Sequence, residues 1–376
     1  MQRIKSVDVL RGFSIWIMVY GHMLQFWIRP EDFWLKYWLY AFLAPIGATG
    51  FLFISGVSST LAYKSNLQNQ KLLPQTMRNA YLLRAFFILV IALFFNLGVS
   101  LVFNGGNLAD IWCWNALQTI AISLLMAWPF LKTSKLLRLS VGILAILLNQ
   151  VLLTTLTPFI GQSNLLGISY HILFNKIDDY VILNYFGVVL LGSVMGDYLY
   201  DLKNGNHVNK KESLFQNKAV IYSLLIGLSI AIFGILLAFP NFIIFNSLSS
   251  SFYALGIVIA FLAVNIIIEI LEVIKTKKSY RFLYFYSYYS FTIFLGHNVL
   301  LILFIGQLNA YWSIWVAVIV FNIIITWLLK TAHNKLGIKV SVKAGISILS
   351  GYLALKIEQR GLEKVKEVES IKKKME

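Results

Sequence analysis

Ten stretches of about twenty apolar residues follow one another along this 376-residue chain, with short polar loops between them. Their approximate limits are 9–28, 41–63, 80–103, 111–131, 139–160, 181–200, 219–239, 250–273, 286–306 and 311–330. With 59% of residues hydrophobic and only 13% charged, a soluble domain would have no polar surface to present to water. The pattern predicts an all-α, polytopic membrane bundle of ten transmembrane helices. An eleventh, at 339–357, stays open because Lys343 interrupts it and its apolar part is short. That segment reads as a tilted or interfacial helix leading into a Lys/Glu-rich tail. The expected organisation is a membrane domain at 1–357 and a charged cytoplasmic tail at 358–376.

A net charge of +16 invites a nucleic-acid partner, but the placement of the charges argues against one. Lys and Arg fall in short loops, where they orient a membrane protein. With the N-terminus in the cytoplasm, the outer loops hold only Arg29, Lys36 and Lys176 of the 32 basic residues. Lys64, Lys71, Arg78, Lys132, Lys135, Arg138, the 203–218 loop, the KTKK run at 275–278 and the tail all fall inside. The N-terminus does not read as a cleavable signal, since Asp8 and Arg11 interrupt its apolar start, so the first span is expected to be retained. Cys113 is the single cysteine, which excludes an intrachain disulfide and a cysteine metal cluster. Neither an internal repeat nor a broken helix pair is visible.

The first span carries an arginine and a histidine inside RGFSIWIMVYGHMLQFWI, residues 11–28. Arg11 and His22 are eleven positions apart, about 16 Å along a helix and within about 20° of one face. Ionisable groups at membrane depth are costly, and a functional site is the default reading. The plainer readings are an interhelical hydrogen bond for His22 and a snorkelling interfacial side chain for Arg11. Asp8 precedes Arg11 by one turn and is placed to pair with it. In MRNAYLLRAFF, anchoring to the cytoplasmic surface explains Arg78, but Arg84 lies about a turn inside the apolar run. Arginine suits bidentate phosphate contacts, so Arg11 and Arg84 together point to a phosphorylated ligand arriving from the cytoplasm. His297, with Asn298 beside it, and Gln118 are further polar residues on apolar helices; an interhelical hydrogen bond explains each on its own. His207 and His333 read as solvated, and His171 stays undecided.

HExxH, phosphate-loop, CxxCH and Gly-x-Ser-x-Gly signatures are all absent from the sequence. No metal site is expected. A haem held by His22 and His297 is a weak reading, because the chain offers only that one pair.

Together these segments resemble the transmembrane acyltransferase superfamily, closest to the heparan-alpha-glucosaminide N-acetyltransferase catalytic domain family and its prokaryotic relatives. The opening SVDVLRGFSIWIMVYGH is similar to that family's Asp-x-x-Arg-Gly start, and also carries the Arg, ten residues, His arrangement of the related acyltransferase-3 group. APIGATGFLFISGVSSTLAY, WNALQTIAISLL, YFGVVLLGSVMGDYL and SFTIFLGHN resemble later family segments in the same order. One difference lies in the outer loop FWIRPEDFWLKYW, which has no histidine where the animal enzyme's reactive one stands.

The resemblance implies an acyl-CoA-dependent O- or N-acyltransferase. It would move an acyl group, acetyl first among them, from cytoplasmic acyl-CoA to a sugar or other acceptor reached from the opposite side. His22 would be catalytic, with His297 or Gln118 as helpers and Asn298 and Asp8 in support; Arg11, Arg78 and Arg84 would hold the CoA end. General-base catalysis and a covalent acyl-histidine both stay open. Expected partners are acyl-CoA, a carbohydrate or other extracytoplasmic acceptor and the lipid bilayer, and a homodimer is left open. The alternative is a secondary transporter with a midplane polar site.

Overall fold

The computed structural model describes residues 4–69, 73–103, 105–174, 181–204, 210–238, 247–270 and 281–375. Among them every named element is helical, and the one β-bridge, Ile28 to Leu308, is isolated. Lys176, His207 and the 275–278 run lie outside the described residues, as do residues 205–209 of the 203–218 loop.

In chain order the helices are α1 (Lys5–Trp27), α2 (Phe33–Phe42), α3 (Ala44–Asn69), α4 (Pro74–Phe103), α5 (Ala116–Ala127), α6 (Lys135–Leu156) and α7 (Leu165–Leu173). There follow α8 (Ile182–Asn204), α9 (Lys210–Ala238), α10 (Ser247–Ile270), α11 (Arg281–Tyr288), α12 (Ser290–Gly296), α13 (Asn298–Leu301), α14 (Ser313–Leu336) and α15 (Val342–Met375). Seven stretches are long and apolar enough to cross a membrane, the last being 313–360, and a bent pair within 282–304 makes an eighth. The 23-residue α1 has the length to span, but carries Lys5, Asp8 and Arg11 in its first two turns.

Two expected spans take a different form, and the helix after the tenth runs on. The fourth is a helix of only twelve residues, about 18 Å against a hydrocarbon core of about 30 Å. The Asn115 side chain caps its start by accepting from the Gln118 amide at 2.9 Å, and Pro129 closes its end. The ninth is broken: α11 and the α12–α13 segment meet at 79°. The break is pinned from the α14–α15 connection, where the Tyr289 hydroxyl donates to the Gly337 carbonyl at 2.8 Å and Thr292 Oγ1 donates to the Val340 carbonyl at 2.9 Å. A broken helix pair, which the sequence does not display, is therefore part of this fold. Last, α15 runs 34 residues without interruption, straight through the boundary expected at 357.

α1 is the inner helix. Ile15, Val19, Met23 and Trp27, spaced by four, are fully buried, and the helix packs chiefly on α3, α10, α11 and α12. Its first amides are capped from another helix: Lys5 N and Ser6 N donate to the Glu269 carboxylate at 3.2 and 2.9 Å. Small residues set the close approaches. A Cβ added at Gly56 would collide with the Val189 carbonyl, and one at Gly192 with the Phe53 carbonyl, so α3 and α8 meet backbone to backbone. Gly12 does the same for α1 and α11, where the Leu283 carbonyl occupies the Cβ position.

Candidate active site

The contact at Gly12 is what brings α11 onto the residue before it. Arg11 Nη1 donates to Asp8 Oδ1 at 3.2 Å and to Ser287 Oγ at 3.3 Å, and Nη2 donates to Ser58 Oγ at 2.5 Å. Ser287 Oγ donates in turn to Asp8 Oδ1 at 3.1 Å. The Asp8–Arg11 pair expected from their spacing is thus formed, and two serines from α3 and α11 fix the guanidinium.

Arg11 opens onto a cavity of about 100 Å³, room for about three waters. Arg84 from α4 and Lys343 from α15 line the same cavity, with Ser55, Ser58 and Ser290 among the other walls. Arg84 has no carboxylate partner among the described residues. Arg78 is exposed and is not part of the lining, so the structure joins Arg11 to Arg84 and leaves Arg78 apart. Lys343 is the residue that sequence reasoning missed. Its one signal was the interruption of an apolar run, read there as a flaw in a span.

Eleven residues beyond Arg11, about 16 Å along α1, His22 meets His297. The rings stack with centroids 5.1 Å apart and 20° between planes, and His22 Nδ1 lies 2.8 Å from His297 Nε2. His297 is buried, and its Nδ1 is 3.0 Å from the Ile293 carbonyl. A carbonyl only accepts, so in the neutral pair His297 Nδ1 carries its proton and His297 Nε2 is the acceptor. His22 Nδ1 must then donate to it, which leaves the lone pair on His22 Nε2 available.

Each histidine follows a glycine, and a Cβ added at Gly21 or Gly296 would meet no atom within 4 Å. His22 is half-buried where His297 is closed in. The other expected helpers do not join the pair. Asn298 Nδ2 donates back to the Phe294 carbonyl of its own helix at 2.8 Å. Gln118 is fully buried in an amide cluster, accepting from Asn96 Nδ2 at 2.9 Å, while Asn115 donates to Asn96 Oδ1. Its Nε2 has no partner among the described residues. His333 is half-buried, its Nδ1 facing the Tyr289 hydroxyl at 3.1 Å, rather than solvated.

A bundle of long apolar helices holding a cation-lined cavity and a paired-imidazole centre is an integral, multi-pass membrane protein with an internal polar site. The profile of the family described as heparan-alpha-glucosaminide N-acetyltransferase, catalytic, matches residues 3–227. The chain belongs to that acetyltransferase family. No curated protein matches it. The matched region contains Asp8, Arg11, His22, Arg78, Arg84 and Gln118 but ends before His297 and Lys343, which the fold returns to the same two sites.

Proposed function

We propose that the protein transfers an acetyl group from cytoplasmic acetyl-CoA to a saccharide acceptor that arrives from the opposite face of the membrane. The observation that carries this reading is the layout along α1: a cation-lined cavity at one end and the His22–His297 pair about 16 Å deeper. CoA brings several phosphates, too costly to place in hydrocarbon unpaired. Arg84, an arginine inside an apolar helix without a carboxylate, supplies the kind of charge they need, and Arg11 and Lys343 border the same space. A cavity of this size takes part of the donor; Arg78, exposed at the start of the same helix, suits the outer phosphates.

His22 Nε2 takes the proton from the acceptor amine or hydroxyl as that atom attacks the thioester carbonyl carbon. The carbon–sulfur bond then breaks, and the CoA thiolate leaves and recovers the proton from the imidazolium. His297 is a positioning residue: it fixes the His22 tautomer through one hydrogen bond and is itself fixed by the Ile293 carbonyl. Family membership favours this reading over a secondary transporter, although the broken ninth span is a feature transporters share.

The reading keeps the N-terminus in the cytoplasm and a count of ten spans, with α1 among them and the short α5 crossing together with the 3-10 turns on either side of it, Leu108–Trp112 and Pro129–Lys132. Labelling intact cells or vesicles tests the orientation: Lys132, exposed at the end of α5, should react only from the cytoplasmic side, and outer labelling overturns it. For the activity, purified protein in nanodiscs is given radiolabelled acetyl-CoA and a panel of glycans. Release of CoA that depends on an amino- or hydroxyl-bearing glycan is expected. Uptake of a labelled solute with no consumption of acetyl-CoA contradicts it.

A further inference from the structure

The end of α1 remote from Arg11 carries a second pocket, of about 680 Å³, lined by Arg29, Glu31, Asp32, Asn309, Tyr311 and Trp312 together with Pro30 and Gly306. Its two walls are the segments that follow the two histidines: Arg29 lies seven residues past His22, and Gly306 nine past His297. The volume falls within the range of about 300–1,000 Å³ typical of ligand clefts.

The floor of this pocket is built rather than incidental. Leu308 N donates to the Trp27 carbonyl at 2.8 Å, Arg29 N to the Leu308 carbonyl at 2.9 Å and Gly306 N to the Phe26 carbonyl at 2.9 Å. Buried Asp32 accepts from the Ala310 amide at 2.8 Å, and Arg29 Nε donates to the Gln307 carbonyl at 2.9 Å. Asn309 caps α14, its Oδ1 accepting from the amides of Trp312 and Ser313. These bonds leave the working groups unspent. Among the described residues the Glu31 carboxylate, the Tyr311 hydroxyl and the Trp312 indole N–H have no partner, and Tyr311 and Trp312 are 77% and 66% exposed.

Two aromatic rings beside an unpaired carboxylate and a half-committed guanidinium fit one ligand chemistry well. A sugar ring offers apolar C–H faces to stack and a rim of hydroxyl or amino groups to hydrogen-bond, and an amphipathic ring with a polar handle matches both. An interfacial aromatic belt accounts for exposed Tyr and Trp, but not for their placement on a pinned pocket with Arg29 and Glu31. We propose that this pocket is a saccharide subsite for the acceptor, with Tyr311 and Trp312 against the ring and Glu31 and Arg29 on its substituents. The proposal rests on the acyl-transfer reading above for its place in the reaction, and not for the binding itself.

Binding is therefore tested without turnover. Saturation-transfer NMR is recorded for methyl α-glucosaminide with the purified full-length protein in nanodiscs, for wild type, Trp312→Ala, Trp312→Phe, Glu31→Gln and Arg84→Ala. The expected result is transfer to the ring protons in wild type, retained in Trp312→Phe and Arg84→Ala and lost in Trp312→Ala. Glu31→Gln should weaken binding about tenfold. No transfer in wild type, or equal transfer in Trp312→Ala, overturns the subsite. An altered melting temperature with unchanged transfer leaves Trp312 as a membrane-interface residue and also overturns it. Acceptor KM should rise about tenfold in Trp312→Ala with donor KM unchanged. Saccharide binding lost in Trp312→Ala, in a protein that consumes no acetyl-CoA, keeps the subsite and refutes the acyl-transfer reading instead.

Discussion

Two groups of basic residues sit among these helices, and they are organised in opposite ways. Arg138 on α6 is buried with Asp197 on α8, which it contacts directly, and it also reaches the Ser193 carbonyl and hydroxyl at 3.3 and 3.2 Å. Lys64 bridges Asp197 at 2.8 Å and Asp201 at 3.2 Å, and Lys135 holds Asp201 at 2.6 Å. Three cations there share two carboxylates, and the network stitches α3, α6 and α8 together. The cavity group also brings three cations together, Arg11, Arg84 and Lys343; Asp8 pairs with Arg11, while Arg84 has no carboxylate partner among the described residues. Charge compensated inside the protein locks helices; an arginine without a carboxylate on the wall of a cavity suits an anionic ligand. In the sequence, Arg138 and Arg84 look alike, each an arginine near the start of an apolar helix.

The largest effect should come from breaking the compensated group. Asp197→Ala leaves Arg138 buried without its counter-charge and should cost about 3–5 kcal/mol, read as a fall in melting temperature and in the folded yield. Replacing both partners, Arg138→Met with Asp197→Leu, should recover most of that loss, because the burial cost of the charges disappears with them. If the double variant is as unstable as the single, the network does more than offset its own charges. Arg84→Ala should behave in the reverse way. Its melting temperature should stay near wild type while the dissociation constant for CoA rises roughly tenfold or more, from about 1.5–3 kcal/mol of lost charge-assisted contact. Unchanged CoA affinity with a large loss of stability would move Arg84 into the structural class. Lys343→Gln should show the smallest effect, about two- to fivefold in CoA affinity and reduced at high salt, as befits a single ammonium at the rim.

How much of this was legible varies with the range of the interaction. The Asp8–Arg11 pair needs only one helix and its period, and it forms as read. The short α5 was also written locally, in Asn115 and Pro129, but the apolar run around them drew the eye to a full span. Lys343 and the break at Tyr289 were not readable in that way. Lys343 shares a cavity with Arg11 only because α15 packs on α4, and the break is held by carbonyls of Gly337 and Val340, some fifty residues away. The His22–His297 pair spans 275 positions; sequence marked both rings as polar residues on apolar helices, and only the fold puts them in contact.

The central claim is that His22 is a chemical group presented by His297, and His22→Ala tests it most directly. The variant and the wild type, both in nanodiscs, are compared for equilibrium binding of acetyl-CoA and for glycan-dependent CoA release. Binding within about twofold of wild type with turnover down by about 10²–10⁴ is the predicted outcome, the range a general base supplies. Near-normal turnover in the folded variant would make His22 a packing residue and contradict the account.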